Sequence, residues 1–246
     1  MPTTRSRDER YFSFATEEIT WIEQTIADCF SRSRSLDILE AGCGRQWALN
    51  LDGAPYKLTG IDLSEEALHY RKATVQDLDV AIRGDLGTVQ LDESVFDVIY
   101  CSYVLEHVVG VSQVLENFDR WARPGGLIVL RLPDRDTVVG LAARLTPDWS
   151  HIWYYKYLLK RPLAGKDGRA PFVTVYEKCM SRPELRRFFT GRGYTVVGES
   201  VCRPFPGQRG WAWQVVRRCL SIAGALSLGK VAGSHNNLTI IVRKPG

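Results

Sequence analysis

The sequence lacks the groupings that build a metal centre or a cross-linked scaffold. Its six cysteines (Cys29, Cys43, Cys101, Cys179, Cys202 and Cys219) fall far apart, with no Cys-x-x-Cys pair and no cluster of histidines beside them. Neither a zinc site nor a disulfide framework is expected, and the thiols should be reduced. No window reaches the roughly 18 uninterrupted apolar residues of a spanning helix. No apolar run follows Met1-Pro2-Thr3-Thr4-Arg5 to form a secretory leader. The expected location is therefore cytoplasmic, with peripheral contact at the inner face of a membrane left open. Acid is missing from a whole region: from Ser200 to Gly246 there is no Asp or Glu. Arg203, Arg209, Arg217, Arg218, Lys230, Arg243 and Lys244 give that region +7, so the formal +4 of the chain leaves −3 for residues 1 to 199. Such asymmetry suits an anionic neighbour, or equally a solvated basic face with no partner.

What is present is ordinary for a globular protein: 246 residues, 45% of them hydrophobic, enough for one domain with a sizeable core and an insertion. Its organising stretch is Leu36-Asp37-Ile38-Leu39-Glu40-Ala41-Gly42-Cys43-Gly44. The apolar run suits a buried parallel strand, while Gly42 and Gly44 permit positive φ and let a ligand reach the backbone. A second strand, Lys57 to Asp62, ends in an acid roughly 20 residues beyond the glycines, the spacing at which a carboxylate grips a ribose diol.

With these two motifs the sequence resembles the class I S-adenosylmethionine-dependent methyltransferases. The resemblance covers roughly Leu36 to Pro133 and extends through Gly84-Asp85-Leu86, Phe96-Asp97-Val98-Ile99-Tyr100-Cys101, Leu105-Glu106-His107-Val108 and Arg123-Pro124-Gly125-Gly126-Leu127. One departure is plain: where the family often has a third glycine, this chain has Gln46. Only about a dozen residues then precede the second strand, so the helix that usually follows the glycines should be a turn or two at most. The resemblance implies an α/β fold: a doubly wound, mostly parallel seven-stranded sheet of Rossmann-like type, with an antiparallel final strand and inserted substrate-side segments. It implies S-adenosyl-L-methionine as cofactor. By the same resemblance Glu40 heads the cofactor motif, Gly42 and Gly44 approach the methionine end, and Asp62 takes the ribose hydroxyls. Leu63 packs on the adenine, Asp85 takes its amino group with Leu86 alongside, and Cys101 lies behind the methyl-bearing sulfur.

In chain order, residues 1–35 form an N-terminal helix and a candidate lid, 36–132 the cofactor-binding core, 133–180 a substrate-side insertion, and 181–246 the rest of the domain with an insertion at 201–234. Thr16 to Phe30 has Glu17 and Glu18 in a first helical turn and Ile19, Ile22 and Ile26 at helical spacing. The aromatics of 10–14 either fold over the cofactor or staple this helix. Ser64 caps a helix to about Lys72, and further elements are a strand from Val95 to Cys101, a helix from Ser112 to Ala122 and a strand from Gly126 to Leu132. Tyr194–Gly198 and Asn237–Val242 make a closing antiparallel pair. Glu40, Asp62, Asp85 and Cys101 all fall at carboxyl ends of strands, where ligands gather in such sheets.

The aromatics and cations of the first insertion, Trp149 to Arg161, form either an acceptor pocket or a satellite core. Trp211 to Leu226 is an acid-free apolar helix with Arg217 and Arg218; a buried helix is the simpler account and an interfacial one the alternative. Methyl transfer to a hydroxyl needs a base, and the candidates are His107 and His151, whereas His235 should stabilise the turn into the last strand. Asn-Pro-Pro-Tyr, for base-amino methylation, and a Pro-Cys nucleophile, for pyrimidine carbon methylation, are both missing. That favours O-methylation of a hydroxylated small molecule, sugar or lipid-linked glycan and makes nucleic acid an unlikely partner. The alternatives are an RNA methyltransferase using the basic tail and a non-catalytic partner subunit that keeps the fold.

Overall fold

A computed structural model describes residues 9–51, 53–145, 177–205, 208 and 210–246. Its strands are β1 (Glu9–Phe12), β2 (Leu36–Ala41), β3 (Tyr56–Asp62), β4 (Val80–Arg83), β5 (Phe96–Ser102), β6 (Ala122–Pro133), β7 (Thr195–Cys202) and β8 (Asn237–Arg243). They form one sheet in the order β1-β7-β8-β6-β5-β2-β3-β4. All neighbours run parallel except the pairs that β8 makes with β6 and β7. The expected parallel sheet with an antiparallel last strand is there, enlarged to eight strands by β1.

The helices are α1 (Ala15–Cys29), α2 (Glu65–Tyr70), α3 (Val111–Trp121), α4 (Val138–Leu145), α5 (Arg182–Thr190) and α6 (Trp211–Leu226). Side chains alternate across β2 as a half-turn period requires: Leu36 and Ile38 join one core with Trp21, Ile22 and Ile26 of α1, and Leu39 and Ala41 join the other with α3 and α5. Both faces are thus covered, as a parallel sheet demands. Among the described residues no helix follows Gly44; 45–51 and 53–55 run irregularly, and Trp47, Leu49 and Leu51 fill the face a helix would cover. Trp47 stands edge-on to Tyr100, ring centres 5.6 Å apart.

The aromatic lead-in is an edge strand. β1 pairs with β7 at the end of the sheet remote from β2 and β3, and the Phe12 ring lies 5.7 Å from Trp21. Tyr11 and Phe14, on either side of Phe12, are exposed. Glu18, in the first turn of α1, is buried: its Oε2 accepts from Arg131 Nη2 at 2.6 Å, and its Oε1 accepts from Ser200 and Thr239 hydroxyls. The charged partner and the two hydroxyl donors satisfy the buried carboxylate.

The simpler account of Trp211–Leu226 fails as well. Of α6 only Gly224 is buried, while Trp211 is 79% and Leu226 77% exposed. The physical reason is its position: it leaves the end of β7 at an edge of the molecule, where α1, α3 and α5 already cover the sheet faces.

Candidate cofactor and active site

The turn after β2 is fixed from below. Gly42 N–H and Cys43 N–H both donate to the Ile61 carbonyl, at 2.8 and 3.0 Å. Gly42 has φ +71°, and a Cβ there would overlap the Val104 side chain. Gly44 has φ +52° with no atom within 4 Å of a Cβ position, so its backbone faces open space. The two glycines serve different needs, one a close approach and the other an open backbone.

Asp62 sits at the end of β3 with both oxygens oriented. Oδ2 accepts from Gly44 N–H and Oδ1 from Ser64 N–H, each at 2.8 Å. Ser64 in turn caps α2 by accepting from Ala67 N–H. Each carboxylate oxygen retains acceptor capacity toward the cleft. Leu63, next along, is 65% exposed. Asp85 Oδ1 accepts from Gly87 N–H at 2.7 Å, and Asn117 of α3 ties the same turn by donating to the Leu86 and Gly87 carbonyls.

These parts enclose a cleft of about 960 Å³ at the carboxyl ends of β2, β3, β4 and β5. Gly42, Gly44, Asp62, Leu63, Asp85, Leu86 and His107 all line it. Glu40 and Cys101 do not. Glu40 Oε2 accepts from Arg71 Nη2 at 2.9 Å, and burial pushes its carboxyl up to about 8 against the opposing pull of Arg71. Cys101 is fully buried in the α3-side core, which raises its thiol pKa far above the ordinary value. Both therefore support the cleft wall from behind. His151 lies outside the described residues. His235 ring nitrogens meet Asp134 Oδ2 at 3.0 Å and Ser234 Oγ at 3.2 Å, at the entry to β8.

Three contributors escaped the motif reading. Arg71 is fully buried and binds Glu40, Asp77 Oδ1 at 2.6 Å and the Cys43 carbonyl at 2.9 Å. It stands where α2 widens into a π-helical turn, Arg71–Val75, closed by Gln76 at φ +58°. Tyr103 lines the cleft just past β5 with φ +55°, and Arg131 lies 5.2 Å from its ring centre. Glu106 is buried with Oε2 lacking any partner among the described residues, and burial pushes its carboxyl up to about 7. A lone Arg or Tyr in a helical or loop stretch carries no sequence signal of this kind, and Glu106 stands in the segment Leu105-Glu106-His107-Val108 with no role of its own read from it.

The donor set fits a nucleoside: an oriented carboxylate for a diol, an exposed leucine beside it for a flat ring, and a second acid at the far end. The volume lies within the range of small-molecule sites.

A family model described as a methyltransferase domain matches residues 11–199. A demethylmenaquinone methyltransferase of Bacillus mycoides is 28% identical over 156 residues, 59% of this chain and 61% of that protein. A ubiquinone biosynthesis O-methyltransferase of Dechloromonas aromatica is 30% identical over 135 residues, 48% of this chain and 51% of that protein. The chain thus spans about three fifths and one half of the lengths of these relatives. Among solved structures, an S-adenosylmethionine-dependent methyltransferase from Mesorhizobium loti superposes with a TM-score of 0.55 at 18% identity, covering 90% of this chain and 96% of that one. That likeness speaks for the fold.

Proposed function

The chain belongs to the methyltransferase-domain family, and on that premise we propose that it moves the methyl group of S-adenosylmethionine to an oxygen of a hydroxylated small molecule. The observation that carries the reading is Asp62, held by Gly44 and Ser64 with acceptor capacity toward the cleft. In this reading Asp62 holds the ribose hydroxyls, Leu63 and Leu86 sandwich the adenine, Asp85 accepts from its amino group, and the Gly42 and Gly44 backbone borders the amino-acid end. The bound cofactor supplies an electrophilic methyl group on a sulfonium.

The remaining work belongs to the chain's own residues: aligning the acceptor with the methyl carbon, excluding water and removing the hydroxyl proton. In this reading His107, which lines the cleft with Val104 and Val108, accepts that proton. Tyr103, Val104 and Val108 give the acceptor side an apolar wall that suits a ring compound. The names of the Dechloromonas and Bacillus relatives support a hydroxylated or quinone-like ring over a sugar.

The test is incubation with methyl-labelled S-adenosylmethionine and separate pools of catechols and hydroquinones, of sugars and lipid-linked glycans, and of tRNA. Label in an ether of the first pool is the expected result. Label in tRNA, or in no pool while the cofactor binds, overturns the acceptor assignment.

A further inference from the structure

The least explained feature of the surface is α6. Its inner seam is Trp213, Arg217, Leu220 and Gly224: Trp213 packs on Phe205 with ring centres 5.1 Å apart, Arg217 donates to the Gln208 carbonyl, and a Cβ on Gly224 would come within 2.5 Å of Gly233 N. The opposite face carries Trp211, Val215, Arg218, Ile222 and Leu226, one above the other at helical spacing. Val215 is 50% and Ile222 59% exposed, with Trp211 and Leu226 higher still. A helix on a globular surface ordinarily turns this stripe inward. Here the apolar stripe points out, and the helix is packed along the other side.

We infer that the outward face of α6 docks on an anionic lipid bilayer, lying in the headgroup plane with its apolar stripe inserted. Charge selects this occupant. Arg217 and Arg218 lie on α6 and Lys230 just after it, with no acid between Ser200 and Gly246, so the helix carries positive charge that attracts anionic headgroups. Arg218 lies within the stripe, and Trp211 stands at its amino end, the residue type that settles at an interface. A second copy of the chain is the weaker occupant, because a two-fold pairing through this face would bring the same acid-free, cationic surface against itself. No described helix is long and apolar enough to cross a membrane, so the contact is one of lying on the surface.

The position also matters for the reaction. The segment before α6 leaves the carboxyl end of β7, and the stretch after it is bridged to the end of β6 through Thr137 and Ala232. Both β6 and β7 pair antiparallel with β8, and β6 pairs parallel with β5, so these ends lie on the same edge of the sheet as the cofactor cleft. A bilayer under α6 therefore lies on the side of the molecule from which an acceptor enters, and a lipophilic acceptor could reach the cleft from the membrane.

The experiment is co-sedimentation with phosphatidylcholine vesicles with and without phosphatidylglycerol, at low and physiological salt. It compares wild type, Arg218→Glu and Ile222→Asp/Leu226→Asp, with light scattering and tRNA titration alongside. The expected result is binding only with phosphatidylglycerol, fading with salt, roughly ten- to thirtyfold weaker in Arg218→Glu and lost in the double variant. Cofactor affinity, measured by calorimetry, should be equal in all three proteins, since these residues lie outside the cleft; this separates a docking failure from a failed cofactor assignment. Absence of vesicle binding at low salt, or equal binding by the double variant, overturns the proposal. So does a dimer dispersed by that variant without vesicle binding, or tight tRNA binding in its place.

Discussion

The guanidinium of Arg71 donates through Nη1 to the carbonyl of Cys43, 2.9 Å away, and so binds the glycine turn to the end of α2. The same side chain meets Glu40 and Asp77, with none of it exposed. The described residues 45–51 and 53–55 form no helix to anchor the turn, and this arginine adds to the support that the Ile61 carbonyl and Asp62 give. Removing one partner of a buried pair leaves the other uncompensated, at about 3–5 kcal/mol. Arg71→Met should therefore lose stability of that order in denaturant titration. Arg71→Lys, which keeps the charge without the planar fork, should fold and bind the cofactor about tenfold more weakly with the acceptor KM unchanged. Equal cofactor affinity in Arg71→Lys would show the turn to be held by other contacts.

Gly42 is expected to tolerate no side chain. A Cβ at φ +71° costs about 1–2 kcal/mol for the backbone, and it also meets Val104. Gly42→Ala should lower cofactor affinity at least tenfold. Gly42→Ala/Val104→Ala should recover only the part due to the clash. Full recovery in the double variant would mean that the backbone conformation carries no cost.

Glu106 sets a pH dependence of stability. Its folded carboxyl titrates near 7 because burial disfavours the charge, whereas an unfolded glutamate titrates near 4.3. Between those values the unfolded chain has given up its proton and the folded chain keeps it. The contribution of Glu106 to stability is thus full below about pH 4.3, falls as pH rises through this window and levels off above 7, by roughly 4 kcal/mol, with the raised Glu40 carboxyl adding a slope of the same sign. Glu106→Gln should flatten the profile and be the more stable protein at pH 8. An unchanged slope in that variant would assign the dependence elsewhere.

His107 is expected to act on the acceptor and leave the cofactor alone. His107→Asn should lower kcat by roughly 10²- to 10⁴-fold, with cofactor affinity within twofold of wild type. A loss confined to cofactor binding would make His107 part of the cofactor wall.

The strand ends and glycines were legible because their physics is local. An apolar run, two glycines and a spaced acid mark Gly42, Gly44 and Asp62, the family resemblance adds Leu63, Asp85 and Leu86, and all six line one cleft. The same spacing argument foresaw the shortened connection after Gly44. Tertiary partnerships were not legible. Glu40 carries the motif's acid yet spends it on Arg71, and nothing near Arg71 in the sequence announces that it reaches back to Cys43. Cys101 lies one residue before the end of β5, and the alternation of the sheet turns it into the core. The outward face of α6 was hidden because its hydrophobicity is the same whichever way the helix is turned; only the seam at Gly224 and Gly233 decides. His151, Trp153 and Tyr155 lie outside the described residues.

The central claim, that the cleft holds S-adenosylmethionine through Asp62, is tested most directly by calorimetry of S-adenosylhomocysteine with wild type and Asp62→Ala. Loss of the charge-assisted hydrogen bonds to the ribose should cost about 1.5–3 kcal/mol, roughly a ten- to hundredfold rise in Kd, with the circular dichroism of the fold retained. Equal affinities in the two proteins, or no binding by wild type, would contradict the account.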